Sequence, residues 1–126
     1  MTKIEKYRID STEGGIERKL AEGLSTVIFP GEKAMISVVT IEPNAMGTMH
    51  SHAEEQWGFV ISGSATRYQD DEEFPIREGD LFRTPPHAEH TMKAGPDGIK
   101  VLDIFAPVRE AYLKPGEGFG KQSPAM

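Results

Sequence analysis

Short runs of β-branched and aromatic residues recur along the chain, cut by clusters of Gly, Pro, Asn and Asp. No helix-length stretch carries a strong 3.6-residue apolar period. "STVIF" ends at Pro30-Gly31, "AMISVVTI" at Pro43-Asn44, and "QWGFVIS" at Gly63. "ATRYQ" meets the acidic turn Asp70-Asp71-Glu72-Glu73, "EFPI" leads to Glu78-Gly79-Asp80, and "DLFRT" to Pro85-Pro86. "HTMKA" ends at Gly95-Pro96-Asp97-Gly98 and "IKVLDIFA" at Pro107. Roughly eight strands at this spacing predict an all-β sandwich or barrel. The acidic turn reads as a solvated hairpin tip. The C-terminal "LKPGEGFGKQSPAM" begins at Leu113 and reads as a loose tail over 114–126, with Leu113 and Phe119 able to dock on the body. There is no internal repeat and no linker, so the 126 residues are expected to form a single domain with its core at about 34–107.

Composition narrows the classes. With 37% hydrophobic and 27% charged residues, the composition is ordinary for a soluble globular protein. Acidic residues outnumber basic ones, 20 to 14, for a formal charge of -6, which argues against a nucleic-acid binder. It leaves room for a local basic pocket that takes a small acid. The absence of cysteine excludes a disulfide framework and a thiolate metal site. "MTKIEKYRIDS" lacks the apolar core of a signal peptide, and no run reaches membrane-spanning length. A cytoplasmic protein without membrane partners is the expectation.

All four histidines fall in two short clusters, His50 with His52 and His87 with His90. On a strand, residues two apart share a face, and Gln56 keeps the parity of His50 and His52. Two imidazoles and an amide oxygen on one inward face supply three corners of a metal site, which an imidazole from a neighbouring strand would complete. The alternative is that these are hydrogen-bonded core or surface histidines.

These residues sit in a pattern that resembles the cupin superfamily. Gly47, His50, His52, Gln56 and Gly63 follow its first motif, with a shorter Gly47-to-His50 spacing than the commonest form. "GDLFRTPPHAEH" follows the second, with Gly79, Asp80, Pro85 and His90 in register. The resemblance implies a cupin jelly-roll β-barrel and a divalent metal held by His50, His52, Gln56 and His90. It places His87 at a pocket rim and leaves Glu54 and Glu55 solvated, short of the ligand slot. With Gln56 where many cupins carry Glu, all four ligands are neutral and a divalent ion keeps its full charge, which favours an anionic substrate. Zn, Ni, Fe, Mn and Co all suit nitrogen and amide-oxygen donors. A metal site without catalysis remains open.

"VLDIFAPVREAYL" places Asp103 inside an apolar strand, where a carboxylate must be paired, solvated in a cavity or protonated. Asp103 shares its face with Val101 and Phe105, and Arg109 follows Pro107. An Asp103–Arg109 ion pair would pin the C-terminal segment. Alternatively, Asp103 is an acid/base beside the metal and Arg109 clamps a substrate carboxylate. The ligand pattern, "PPxxxH", and the ending Asp103, Phe105, Pro107, Arg109, Glu110 resemble cupins of the KdgF type, which open 4,5-unsaturated monouronates in pectin and alginate breakdown. That resemblance implies Asp103 as general acid/base, Arg109 as a residue that holds or orients substrate, and Phe105 packed on the sugar. Arg67, Arg77, Arg83 and Lys93 are further cations, each expected to be a solvated surface charge. Two other readings stay open: a metal-dependent dioxygenase or lyase, and a non-catalytic small-ligand binder.

If Gln56, Gly58 and Val60 face inward, Trp57, Phe59 and Ile61 face out. An apolar patch there needs a cover. An N-terminal strand of the same or a partner chain could supply it, and a homodimer is expected.

Overall fold

The computed structural model describes residues 2–120. Eight strands carry the fold: β1 Ile16–Ala21, β2 Leu24–Pro30, β3 Met35–Ile41, β4 Glu55–Gln69, β5 Glu72–Arg77, β6 Leu81–Thr84, β7 His90–Ala106 and β8 Gly116–Glu117. One 3₁₀ turn, Glu110–Tyr112, is the sole helical element among the described residues. Among the described residues no helix is long and apolar enough to cross a membrane. The strands run β5-β4-β7-β3-β2-β1-β8, with β6 on β4. This is the expected all-β jelly roll.

Two of the strands are longer than the punctuation suggests. "QWGFVIS" and "ATRYQ" form one strand, β4, and "HTMKA" joins "IKVLDIFA" across Gly95-Pro96-Asp97-Gly98 as β7. β4 and β7 pair along nearly their whole length, with register shifts at Val60/Ser62 and Gly63/Ala65. At the second of these, Gly63 has φ 81°, and a Cβ there would lie 2.0 Å from the Gly98 carbonyl oxygen. Only glycine lets the two backbones cross this closely. The Gly-Pro-Asp-Gly signal thus marks a bend shared by two strands rather than a break. On one side of it β4 pairs with β6, on the other with β5, which divides the sheet into the two walls of the roll.

The walls follow from alternation. On β2, Leu24, Thr26 and Ile28 point inward; on β3, Met35, Ser37, Val39 and Ile41; on the second half of β7, Ile99, Val101, Asp103 and Phe105. Registers stack these positions in rows, so that Ser37 lies opposite Asp103 and Asp103 opposite Gly58. Most rows are aliphatic and close the core. The row with Asp103 is polar, and it marks the site.

Residues 114–120 are not the expected loose tail. β8 pairs in parallel with β1, and Arg18 donates to the carbonyls of Ala111, Lys114, Glu117 and Gly118. Phe119 packs against the core, while Leu113 stays exposed. The remainder of the tail lies outside the described residues. At the other end, Tyr7 packs against Phe29 with tilted rings and centroids 4.7 Å apart, so the N-terminal segment reaches the outside of β2 at Phe29.

Candidate metal and ligand site

His50 comes from the loop before β4, His52 two residues later, and His90 opens β7 and bridges to His50 through paired backbone hydrogen bonds. One ring nitrogen from each lies within 4.8 Å of the others, and together they can hold a metal ion. Each ring is braced by a carbonyl two residues away. His50 Nδ1 sits 2.8 Å from Thr48 O, His52 Nδ1 3.0 Å from Glu54 O, and His90 Nδ1 2.8 Å from Ala88 O. A carbonyl only accepts, so each Nδ1 carries its hydrogen and each Nε2 keeps a lone pair, the arrangement found behind metal-binding imidazoles. Burial dominates in holding all three neutral, lowering His50 to about 3, His52 to about 4 and His90 to about 2.

Gln56 joins this corner. Its amide donates to Asp103, which turns Oε1 toward His52 Nε2 at 3.0 Å. With Nδ1 of His52 committed to a carbonyl, that contact sets two acceptors face to face. His90 Nε2 is buried with no hydrogen-bond partner at all. A cation between these atoms satisfies every lone pair, which no proton arrangement of neutral rings does. The residues fit a divalent metal.

Beyond Gln56 lies a second polar corner. Asp103 is 7% exposed, and burial raises its pKa to about 6 against the opposing pull of Arg67 and the Gln56 hydrogen bond. Gly58, opposite it, leaves no side chain on that spot of β4, and Phe82 fills the space on the other side: a Cβ on Gly58 would lie 2.2 Å from the Phe82 ring. Arg67 is 2% exposed, contrary to the expected surface charge. The register shifts explain it. Inward positions on β4 are Gln56, Gly58 and Val60 before the bulges and Ala65 and Arg67 after them. Arg67 Nη2 donates to Thr84 Oγ1 at 2.7 Å, and its guanidinium lies 4.9 Å over the Phe82 ring. Burial lowers its pKa to about 10, which still leaves it charged at neutral pH. Sequence reasoning missed it, although a glycine four residues earlier is the ordinary sign of a parity change.

His50, Gln56, His90, Arg67, Asp103 and Phe105 line one cavity, whose other wall is aliphatic. About 40 Å³ is open to the centres of water-sized molecules, room for about three waters. Phe119 closes one side, its ring stacked 4.2 Å from His50. Phe105 is 3% exposed and meets His52 edge-on at 5.3 Å. Arg109 does not line this cavity. It lies over the Tyr112 ring at 4.2 Å, donates to the Phe119 carbonyl and sits 3.9 Å from Glu54 Oε1. The Asp103–Arg109 pair, one of the two alternatives the sequence left open, is not formed; the cation acting on Asp103 is Arg67.

The neighbouring residues fall outside the corner. His87 is exposed in a left-handed conformation with φ 68°, and its N–H donates to the His52 carbonyl. Glu54 stands behind His52 on the Nδ1 side, and Glu55 pairs with exposed Arg83. Arg77 and Lys93 are exposed.

Residues 37–105 match the cupin domain family. The chain belongs to the cupin family. Among solved structures, this cupin is similar to KdgF from Halomonas sp., at 27% identity and a TM-score of 0.69 over 75% of this chain and 87% of that one. Among curated proteins it is 27% identical to oxalate decarboxylase OxdC of Bacillus subtilis (strain 168) over 79% of its length, which is 28% of the relative. It is 31% identical to 3-hydroxyanthranilate 3,4-dioxygenase of Jannaschia sp. (strain CCS1) over 64% of its length and 46% of the relative. The chain spans less than half the length of the curated relatives it matches.

Proposed function

We propose that this cupin is a metal-dependent enzyme that opens the ring of 4,5-unsaturated monouronates, or isomerises a closely similar small sugar acid. The observation that carries the reading is Asp103. It lies buried on the cavity wall, bonded to Gln56 of the metal corner, with a pKa of about 6 that suits both giving and taking a proton. The likeness to KdgF supports the substrate class.

The reaction is an isomerisation. The anomeric hydroxyl loses its proton, the bond from the anomeric carbon to the ring oxygen breaks as a carbonyl forms, and a proton arrives at the alkene carbon. No oxidant takes part. Asp103 removes the first proton and returns one at the carbon. His50, His52, His90 and Gln56 would hold the ion, whose double charge supplies electrostatic stabilisation where negative charge develops. Phe105 and the aliphatic wall exclude water and pack on the ring.

Turnover of freshly generated unsaturated monouronates, followed by loss of alkene absorbance, tests this. Wild type should accelerate the reaction. Asp103→Asn should lose about 100- to 1,000-fold with its metal content unchanged. A metal-loaded wild type no faster than the spontaneous reaction overturns the reading. The curated likenesses to a decarboxylase and a dioxygenase favour a second one, metal-dependent chemistry on another small acid. Oxygen uptake or CO₂ release in place of ring opening would establish it.

We also propose a homodimer. Ile36, Ile104 and Trp57 lie side by side across β3, β7 and β4 on the outer face, with Phe59 and Leu81 adjoining, and all five are exposed. The N-terminal segment reaches β2 at Phe29 and leaves this row for a second copy. Light scattering should give a dimer for wild type and a monomer for Trp57→Asp; a monomeric wild type overturns it.

A further inference from the structure

The metal corner accounts for the histidines and Gln56 but not for Arg67. A guanidinium at the floor of an apolar barrel is costly unless something uses its charge. Its nearest acid, Asp103, does not use it fully. Arg67 Nε and Asp103 Oδ1 are both buried and both without a hydrogen-bond partner, and the two residues line the same cavity. A structural ion pair would bond these two atoms to each other. Instead, Arg67 is held by other groups, with Thr84 Oγ1 fixing one end of the fork and Phe82 supporting its plane. Its Nε–H edge is thereby pinned and left free to donate. Arg109, the other buried arginine, also has an unpartnered Nη1, but it does not line the cavity and is engaged with the Phe119 carbonyl and the Tyr112 ring.

We infer that Arg67 is the anchor for the anionic group of the ligand, and that this cavity selects small carboxylates bearing a hydroxyl or carbonyl group. The carboxylate accepts from the Arg67 edge, and the neighbouring oxygen is left to face the histidine corner and Asp103. Charge favours the same orientation. With neutral ligands around a divalent ion and Asp103 beside Arg67, an anion is the species that lowers the electrostatic cost of the cavity. The space of about 40 Å³ is enough for a carboxylate head, while a whole sugar ring requires Phe119 to move aside. The inference rests on this cavity being the ligand site proposed above, but not on ring opening.

The test uses glycolate and its neutral counterpart ethylene glycol as probes, on the full chain, both metal-loaded and chelated. In ¹⁵N-labelled wild type, glycolate should shift the Arg67 Nε–H resonance in both forms, and ethylene glycol should leave it unmoved. Calorimetry should show glycolate binding at least tenfold weaker in Arg67→Met, partly restored in Arg67→Lys, with ethylene glycol unaffected. An unmoved Arg67 resonance at saturating glycolate, or wild-type glycolate affinity in Arg67→Met, overturns the anchor. So does glycolate binding that vanishes from wild type on chelation, which would assign the carboxylate to the metal. The two readings separate cleanly. Glycolate binding that depends on Arg67 in a protein without uronate turnover sinks ring opening and supports the anchor. Undiminished uronate turnover in Arg67→Met does the reverse.

Discussion

The cavity has two polar corners built on different plans. In the histidine corner each imidazole is braced by a carbonyl two residues away in the chain, so the local backbone orients every ring. In the other corner, Arg67 is braced by Thr84 and Phe82 on β6, and Asp103 by Gln56 on β4, all distant in sequence. The unsatisfied atoms of the first corner are lone pairs that converge, a donor set suited to a cation. The second is left with a donor, Arg67 Nε, and an acceptor, Asp103 Oδ1, that are buried and unpartnered. A group whose bracing is local can wait for an ion, whereas one held by the tertiary structure is posed for a ligand with its own donors and acceptors.

The largest effect should come from the first corner. His52→Ala or His90→Ala removes a converging lone pair and leaves its neighbours unpaired, so metal affinity should fall by more than about 100-fold. Elemental analysis after dialysis would show near-stoichiometric metal in wild type and almost none in these variants. Arg67→Met should keep its metal. Equal metal loss in all three would make the two corners one network and dissolve the distinction.

Acid sensitivity of the chelated protein separates the corners next. The three imidazoles take protons at about 6.5 when unfolded but only near 4, 3 and 2 when folded. Below pH 6.5 the unfolded chain therefore binds more protons, and stability must fall as pH falls. Asp103 acts in the opposite direction, because its folded pKa of about 6 lies above the ordinary 3.8. Between pH 6 and 4 the folded state takes up that proton first, which offsets one of the three. The net is up to two protons, each worth about 1.4 kcal/mol per pH unit. Denaturant midpoints of chelated protein across this window should fall steeply, and metal-loaded protein should resist. A flat profile would mean that the rings are not buried and neutral.

How far each corner shows in the sequence follows from the same difference. His50, His52 and Gln56 are two and four residues apart before any bulge, and His90 sits in a recognisable motif, so strand parity alone brings them together. Asp103 is also legible, as an acid in an apolar run. Arg67 is not, because the register shifts at Val60/Ser62 and Gly63/Ala65 intervene and bulges are not written in a parity rule. Arg109 reads as a substrate clamp because it follows Asp103 closely, yet the turn at Glu110–Tyr112 sends its guanidinium to the tail. The tail itself looks loose because Gly and Pro dominate it. What holds it is Arg18, nearly a hundred residues upstream, bonded to four backbone carbonyls that no side-chain pattern advertises.

Gln56 touches both corners, and one substitution there should move them in opposite directions. Glu at this position adds a negative charge to the ligand set and replaces the amide that donates to Asp103 with a second acid. Metal should bind roughly tenfold tighter and carboxylates roughly tenfold weaker, on the scale of one added charge at close range in a partly screened site. Titrations of metal and of glycolate on the same Gln56→Glu preparation would check both signs. If both affinities rise together, the corners do not share charge through this residue.

The smallest effect should come from the closure between them. Phe119 stacks on His50 and limits the cavity, while its backbone carbonyl is held by Arg109 and the preceding carbonyls by Arg18. Phe119→Ala therefore removes the ring without releasing the strap. The ring is only partly buried, so the loss should cost about 1–2 kcal/mol, below the range for a fully buried Phe. Glycolate, whose carboxylate head the open space takes, should bind nearly as in wild type. A ring-sized sugar acid needs the ring moved, and its KM should fall a few-fold. The comparison of the two ligands is what gives the measurement its force, because a general loosening of the fold would weaken both. If the KM of the sugar acid rises instead while glycolate is unchanged, Phe119 is a surface on which the sugar packs rather than a barrier to it, and the histidine corner extends to the tail.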